Sequence, residues 1–247
     1  MADATGERPA RLDVTLDACA SCAIRHSSLC GALSGEELRR LNAIATRTQL
    51  DVGEVHLFAG DDQHSFANVT GGVAKLVRGA EDGRAQIVGL LFPSDFIGGA
   101  LGQDRAAPSP YAIEAVSEVA LCTFPKAKFE RVLHDHPTLE FKLLQRTMGE
   151  LEIAREWMVL LGRKTAEERL ATFLLYVAGK MRNVSCTGHT SFDLPLSRSD
   201  IADYIGLTLE TVSRQMSKLK KAGIIRIEGT KHITFIDEDR LKARADF

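Results

Sequence analysis

Ten glycines fall between residues 53 and 102, at positions 53, 60, 71, 72, 79, 83, 89, 98, 99 and 102. A helix of ordinary length does not survive that density, because each interior glycine costs roughly 1 kcal/mol against alanine. Between the glycines lie short apolar runs at 55–58, 66–69, 73–77 and 85–91. Asp82-Gly83 reads as a hairpin turn, and residues 113–124 continue the strand pattern. Short strands punctuated by turns predict a β-sandwich or a small roll.

The flanks carry a different periodicity. Ser34-Gly35-Glu36-Glu37 is a capping box, and Leu38, Leu41 and Ile44 follow at helical spacing. Pro137 opens a long helical segment in which Phe141, Leu144, Met148, Leu151 and Met158 share one stripe, interrupted at Arg155. That stripe fits a helix packed on its own domain and equally a helix paired with its twin in a homodimer. Gly162 is a break, and Thr165-Ala166-Glu167-Glu168 is a second capping box for a helix to about residue 180. His134-Asp135-His136 offers two metal ligands on paper, but Pro137 directly after it makes a loop cap the simpler reading.

The last segment reads as helix 198–205, turn Gly206-Leu207-Thr208, helix 209–222, a stop at Gly223, then strands 224–228 and 232–236 joined through Gly229-Thr230. That order is a winged helix-turn-helix. The chain as a whole carries net charge −2, which advertises no nucleic-acid partner. Residues 213–232, however, hold Arg214, Lys218, Lys220, Lys221, Arg226 and Lys231 against the single acid Glu228. A local basic face is the stronger signal. Val212, Met216 and Leu219 form the buried stripe of the second helix. Glu210, Ser213, Arg214 and Gln215 lie near its N-terminal end, where a recognition helix meets base edges. Arginine can grip guanine O6 and N7, and glutamate can accept from cytosine N4. Lys218, Lys220 and Lys221 suit phosphates. A surface helix with a Glu210–Arg214 ion pair explains the same spacing.

Five cysteines, an odd number, stand in a 247-residue chain with no apolar run near the ~18 residues of a membrane span. The first residues also lack the apolar stretch of a signal peptide, so the chain is expected in the cytoplasm. There, clustered cysteines point to metal or redox chemistry rather than disulfides. Cys19, Cys22 and Cys30 form C-x2-C-x7-C. An iron–sulfur cubane and a structural zinc both need a fourth ligand, which Cys122 or Cys186 could supply. No dinucleotide fingerprint, P-loop, HExxH or nucleophile elbow is present, so no enzyme is expected.

Residues 196–214, Leu-Ser-Arg-Ser-Asp-Ile-Ala-Asp-Tyr-Ile-Gly-Leu-Thr-Leu-Glu-Thr-Val-Ser-Arg, closely resemble the helix-turn-helix of the Crp/Fnr family of transcription regulators. Glu-x-x-Ser-Arg is the core of its Fnr branch, and the cysteine spacing resembles that of FnrN- and FixK-type members. The resemblance implies an α+β fold: a cyclic-nucleotide-binding-like β-roll, a long dimerisation helix and a C-terminal winged helix-turn-helix. It divides the chain into a flexible N-terminus (1–18), a cluster-binding segment with the sensor roll (19–135), a dimerisation helix (136–162) and a DNA-binding domain (163–247). It assigns Phe141, Leu144, Met148, Leu151 and Met158 to the dimer seam. It assigns Glu210, Ser213, Arg214, Arg198 and Lys218 to promoter DNA at a palindromic site of TTGAT-N4-ATCAA type. It makes Cys19, Cys22, Cys30 and Cys122 the ligands of a [4Fe–4S] cluster that promotes dimerisation under low oxygen, with Cys186 outside the set. It turns the hairpin near residues 79–84 towards RNA polymerase.

Within the same fold, a cyclic-nucleotide receptor needs an acid after Phe-Ile-Gly and an arginine before Ser/Thr-Ala. Here Gly99 follows Phe96-Ile97-Gly98, and Pro110 precedes Tyr111-Ala112. No cyclic nucleotide is therefore expected. A heme, zinc or small-molecule effector is the alternative to the cluster, and heme leaves the three clustered cysteines unexplained.

Overall fold

The computed structural model describes residues 19, 21–80, 83–98, 108–184 and 191–246. The expected flexible lead, Asp82, Gly99 and Cys186 lie outside the described residues. The fold is α+β. The chain divides between Gln145 and Arg146 into two compact units, with residues 78–89 grouped in the second.

In the first unit the cysteine-bearing segment runs through turns into a 3-10 helix, Leu29–Ala32, capped by the Ser28 hydroxyl, which accepts from the Cys30 N–H. Helix α1, Gly35–Ile44, begins with the expected capping box: the Ser34 N–H donates to Glu37 Oε2 at 2.7 Å. Eight strands follow along the chain, residues 78–89 of β4 and β5 being those grouped with the second unit: β1 Thr46–Leu50, β2 Val55–Leu57, β3 Ser65–Gly71, β4 Ala74–Gly79, β5 Ala85–Leu91, β6 Phe96–Ile97, β7 Ala112–Ala115 and β8 Val119–Pro125. They form two four-stranded sheets, ordered β1-β8-β3-β6 and β2-β7-β4-β5. The run at 113–124 therefore breaks into two strands of different sheets.

Strand alternation decides what each face buries. On β3 and β8, Ala67, Val69, Val119 and Leu121 point into the roll, where they join Leu50, Ile97 and Ile113. Phe66, Asn68, Cys122 and Phe124 share the opposite face, as the pairs Phe66↔Phe124 and Asn68↔Cys122 require. Helix α2, Lys126–Asp135, unassigned from sequence, covers that face. Its Phe129 ring lies 5.2 Å from Phe66, 5.5 Å from Phe96 and 5.4 Å from Phe124. Leu29, Leu33, Leu38 and Leu41 complete the layer, with Cys19, Cys30 and Cys122 at its margin. His134 and His136 do not converge: His134 is exposed beside Asp135, while His136 ends α2 with Nδ1 2.9 Å from Glu37.

Helix α3, Pro137–Arg163, has 27 residues and runs on through Gly162. At 1.5 Å per residue it is about 40 Å long. Leu139 and Leu143 are buried in the first unit. The stripe read from the sequence faces outward: Phe141 is 60% exposed, Leu144 56%, Met148 50%, Leu151 42% and Met158 73%.

The second unit contains α4 Ala166–Val184, β9 Ser191–Asp193, α5 Arg198–Ile205, α6 Leu209–Lys221, β10 Ile225–Glu228, β11 His232–Phe235 and α7 Glu238–Ala245. The helix-turn-helix boundaries match expectation to within a residue. The wing has three strands, ordered β10-β11-β9, rather than the two expected. Helix α7 was also unforeseen. It docks on α4, where Arg244 pairs with Glu167 and Lys164 Nζ donates to the Ala245 carbonyl at 2.6 Å.

Gly72 shows how tightly the roll is closed. Its φ is +74°, and a Cβ there would lie 1.9 Å from the Glu118 carbonyl oxygen. Gly72→Ala is expected to lower the unfolding free energy by about 2–4 kcal/mol, since both strain and a backbone clash must be relieved. Urea denaturation checks this, and a wild-type midpoint would contradict it.

Candidate nucleic-acid interface and cysteine pocket

Local chemistry builds the helix-turn-helix. Ser197 caps α5 with its hydroxyl on the Asp200 N–H, and Asp200 returns a bond to the Ser197 N–H. Gly206 ends the helix in the left-handed region at φ +64°, which a side chain would resist. Thr208 then caps α6 through the Thr211 N–H. Ile201, Tyr204 and Ile205 of α5 and Val212, Met216 and Leu219 of α6 are buried.

That packing decides which side chains are presented. Glu210, Ser213, Arg214 and Lys218 are exposed along α6, as expected. Gln215 is not: it is 7% exposed and its Oε1 has no partner among the described residues. It belongs to the core side of the helix, one residue past the reading face. Arg214 Nη2 donates to Thr211 Oγ1 at 3.3 Å, and no Glu210–Arg214 ion pair stands among the described residues. The Glu210 carboxyl sits below its ordinary range because its own backbone N–H and the Thr208 hydroxyl bond to it. Arg198, first residue of α5, is partly buried with Nη1 unpartnered among the described residues, and burial lowers its pKa. On the wing, His232 Nδ1 lies 2.8 Å from Asp193 Oδ1.

Arg169 holds this element in place, and sequence reasoning missed it. Its Nε donates to the Lys164 carbonyl and Nη2 to that of Leu161, at 2.9 and 2.7 Å. Its Nη1 reaches the Ile205 and Gly206 carbonyls at 3.3 and 3.2 Å. One guanidinium thus collects free carbonyls from the end of α3 and the α5–α6 turn, the kind of orphan groups that helix ends leave. In the same unit the Trp157, Tyr176, Tyr204 and Phe173 rings pack on one another, with Trp157 and Tyr204 4.7 Å apart. The nearby capping box was legible, but no local spacing announces partners 36 and 37 residues away.

In the first unit, Cys19, Cys22, Cys30 and Cys122 border one pocket, together with Arg47, Asn68 and Thr70. All four thiols are free. Cys122 sits on β8 between two neighbours in register, Arg47 on β1 and Asn68 on β3. The other three come from the turns and the 3-10 helix before α1. Burial pushes the Cys122 thiol up to about 12, and Cys30 and Cys19 add to the rise while Arg47 opposes it. Cys19 and Cys30 are raised too, first by burial and then by fellow cysteines, with Ser28 opposing the rise at Cys30. The sulfurs therefore sense one another. Cys19 Sγ donates to Asn42 Oδ1 at 3.0 Å, and Asn68 Nδ2 donates to Cys30 Sγ at 3.7 Å.

The pocket holds about 30 Å³ of free space, roughly the share of one water. As the side chains stand, no three of His, Cys, Asp and Glu among the described residues form a group able to hold a metal ion. The donor chemistry nevertheless suits one class of guest. The lining contains four sulfurs and, among the described residues, no carboxylate. Thiolate-bound iron–sulfur clusters and zinc use such a set. Cys19, Cys22 and Cys30 lie in the turns and the 3-10 helix before α1, and Cys122 lies on β8, between β1 and β3.

Comparison with known proteins agrees with both halves. Residues 47–136 match the cyclic nucleotide-binding domain, and residues 168–244 match the Crp-like helix-turn-helix domain. The chain is 43% identical to a probable transcriptional activator of Rhizobium leguminosarum bv. viciae, across 91% of this chain and 92% of that one. It is 41% identical to the transcriptional activator protein FnrL of Cereibacter sphaeroides, across 93% and 92%. The structure of FixK2 from Bradyrhizobium japonicum superposes with a TM-score of 0.73 at 33% identity, covering 83% of this chain and 98% of that one. The chain therefore belongs to the Crp/Fnr family, and it is a transcription regulator with a Crp-like helix-turn-helix rather than an enzyme.

Proposed function

We propose that this chain is an oxygen-responsive transcription activator of the Fnr type. It carries a [4Fe–4S] cluster on Cys19, Cys22, Cys30 and Cys122 and acts as a cytoplasmic homodimer on promoter DNA. The observation that carries this reading is the meeting of those four thiols at one pocket in a chain 41% identical to FnrL. When bound, the cluster supplies an oxygen-labile centre of net negative charge.

The chain's own residues convert occupancy of the pocket into dimerisation. Leu29 and Leu33, next to Cys30, share one apolar layer with Leu139 and Leu143 at the start of α3. Holding the cysteine segment therefore also holds the first turns of α3. The exposed stripe Phe141, Leu144, Met148, Leu151 and Met158 is the seam for a second copy. A group that binds the ordered segment more tightly favours the dimer by linkage. Only a dimer brings two α6 helices to a palindrome.

On DNA, Glu210, Ser213 and Arg214 read base edges of the TTGAT half-site, and Arg198 and Lys218 take phosphates. The partnerless Arg198 Nη1 suits a phosphate oxygen, which would satisfy a buried donor. The corresponding domains are the sensor roll with its cluster segment at 19–135, the dimerisation helix at 136–162 and the DNA-binding domain at 163–247. The hairpin at 79–84 faces RNA polymerase. A cyclic nucleotide is not the effector, because Pro110 offers no cation to a phosphate.

Two experiments test this reading. Protein purified without oxygen is expected to be brown, with iron and inorganic sulfide, and to bleach in air; Cys122→Ser is expected to lose the spectrum. A colourless protein that retains zinc would overturn the oxygen sensor and leave the DNA-binding assignment standing. Arg214→Ala is expected to cost about 1–3 kcal/mol of specific binding and to relax discrimination at one guanine. Titration against matched and single-substituted sites reads this, and equal weakening on every sequence would place Arg214 on phosphate instead.

A further inference from the structure

We propose that Asn68 is a positioning residue of the sulfur site: its side-chain amide donates to the Cys30 sulfur and so sets the reduction potential of the group the four thiols hold. The proposal rests on the reading of those thiols as cluster ligands. It assigns a role to a residue that is not itself a ligand.

The placement is specific. Asn68 lies on β3, opposite Cys122 on β8, and its Nδ2 is 3.7 Å from Cys30 Sγ. One residue thus touches the Cys30 sulfur, before α1, and sits in register with Cys122 on the sheet. It is 2% exposed, so no bulk water competes for the amide. Its neighbours along the strand are apolar: Phe66, Ala67 and Val69. The same amide leaves Oδ1 without a partner among the described residues. A buried amide with one end unsatisfied is a poor choice for packing, and an aliphatic side chain of similar size would avoid the loss. What the amide does supply is an N–H aimed at sulfur.

Asn42 shows the opposite polarity in the same site. Its Oδ1 accepts from Cys19 Sγ, a contact that needs the sulfur to keep its proton. The Asn68 contact needs no proton on sulfur and strengthens as negative charge gathers there. Donors to ligating sulfur stabilise the more reduced state of a cluster, which raises its potential. Arg47, on the other flank of Cys122, acts in the same direction through its charge.

The test compares the full-length wild type with Asn68→Leu, which removes the donor at similar volume, and Asn68→Gln, which keeps an amide. Thermal unfolding of each metal-free protein establishes that it is folded, and Asn68→Ala substitutes for the leucine variant if that one is not. Two readouts follow. The first is the midpoint potential of the reconstituted cluster under nitrogen, expected to move negative in Asn68→Leu and to stay closer to wild type in Asn68→Gln. The second is the sulfur-to-metal charge-transfer band of protein loaded with Co(II) alone, expected to move to lower energy in Asn68→Leu. An unmoved potential and band, or equal shifts in Leu and Gln, would overturn the proposal. A wild type that takes up Co(II) but no cluster overturns the oxygen-sensor reading alone, and the cobalt band still decides Asn68. A wild type that takes up neither overturns both.

Discussion

Strand β8 buries different chemistry on its two faces, and the first unit is organised around that difference. Val119 and Leu121 fill the roll, while Cys122 and Phe124 look out towards the layer of helices and turns. A one-residue slip in register would exchange the two sets and empty both layers. The pairs Arg47↔Cys122 and Asn68↔Cys122 are therefore held by every apolar contact of the strand, not by their own interactions. The aromatic contacts of Phe66, Phe96 and Phe124 with Phe129 then lock α2 over the outer face. A reactive site built on such a strand inherits its register, and the turns and 3-10 helix opposite are packed against it through Leu29 and Leu33.

The second unit reaches the same end by different means. Its presenting helix needs an angle as well as a face. The buried rows of α5 and α6 supply the face, and the αL turn at Gly206 supplies the angle. Arg169 then ties that turn to the last carbonyls of α3 through four hydrogen bonds. A lysine could not do this, since it lacks the planar fork that reaches several oxygens at once. What remains outside is polar and unpaired with the core: Glu210, Ser213, Arg214 and Lys218.

Much of this was legible without coordinates, for identifiable reasons. The capping boxes at Ser34 and Thr165 recur in the structure because each bond spans three residues. The helix-turn-helix followed from the same short-range rules. Helix α2 leaves no visible period in the sequence, because only Phe129 and Leu133 are buried in it. Strand β9 is three residues long and exists because β11 offers an edge to Ser191–Asp193. Helical angle alone sets Gln215 beside the reading face, and only the wrap of the neighbouring helix buries it.

The sequence by itself determined the local half of the protein: where helices start, where glycine must turn the chain, and that three cysteines lie within a dozen residues. These depend on bonds between near neighbours, which any compact state of this chain would form. Only the tertiary structure decided that Cys122 faces those three across a pocket, that Asn68 and Arg47 flank it, and that Arg169 braces the reading helix. Each of those pairings joins residues tens of positions apart. Their partners are chosen by sheet register and layer packing, which the whole fold sets at once, and no segment of sequence carries that information alone.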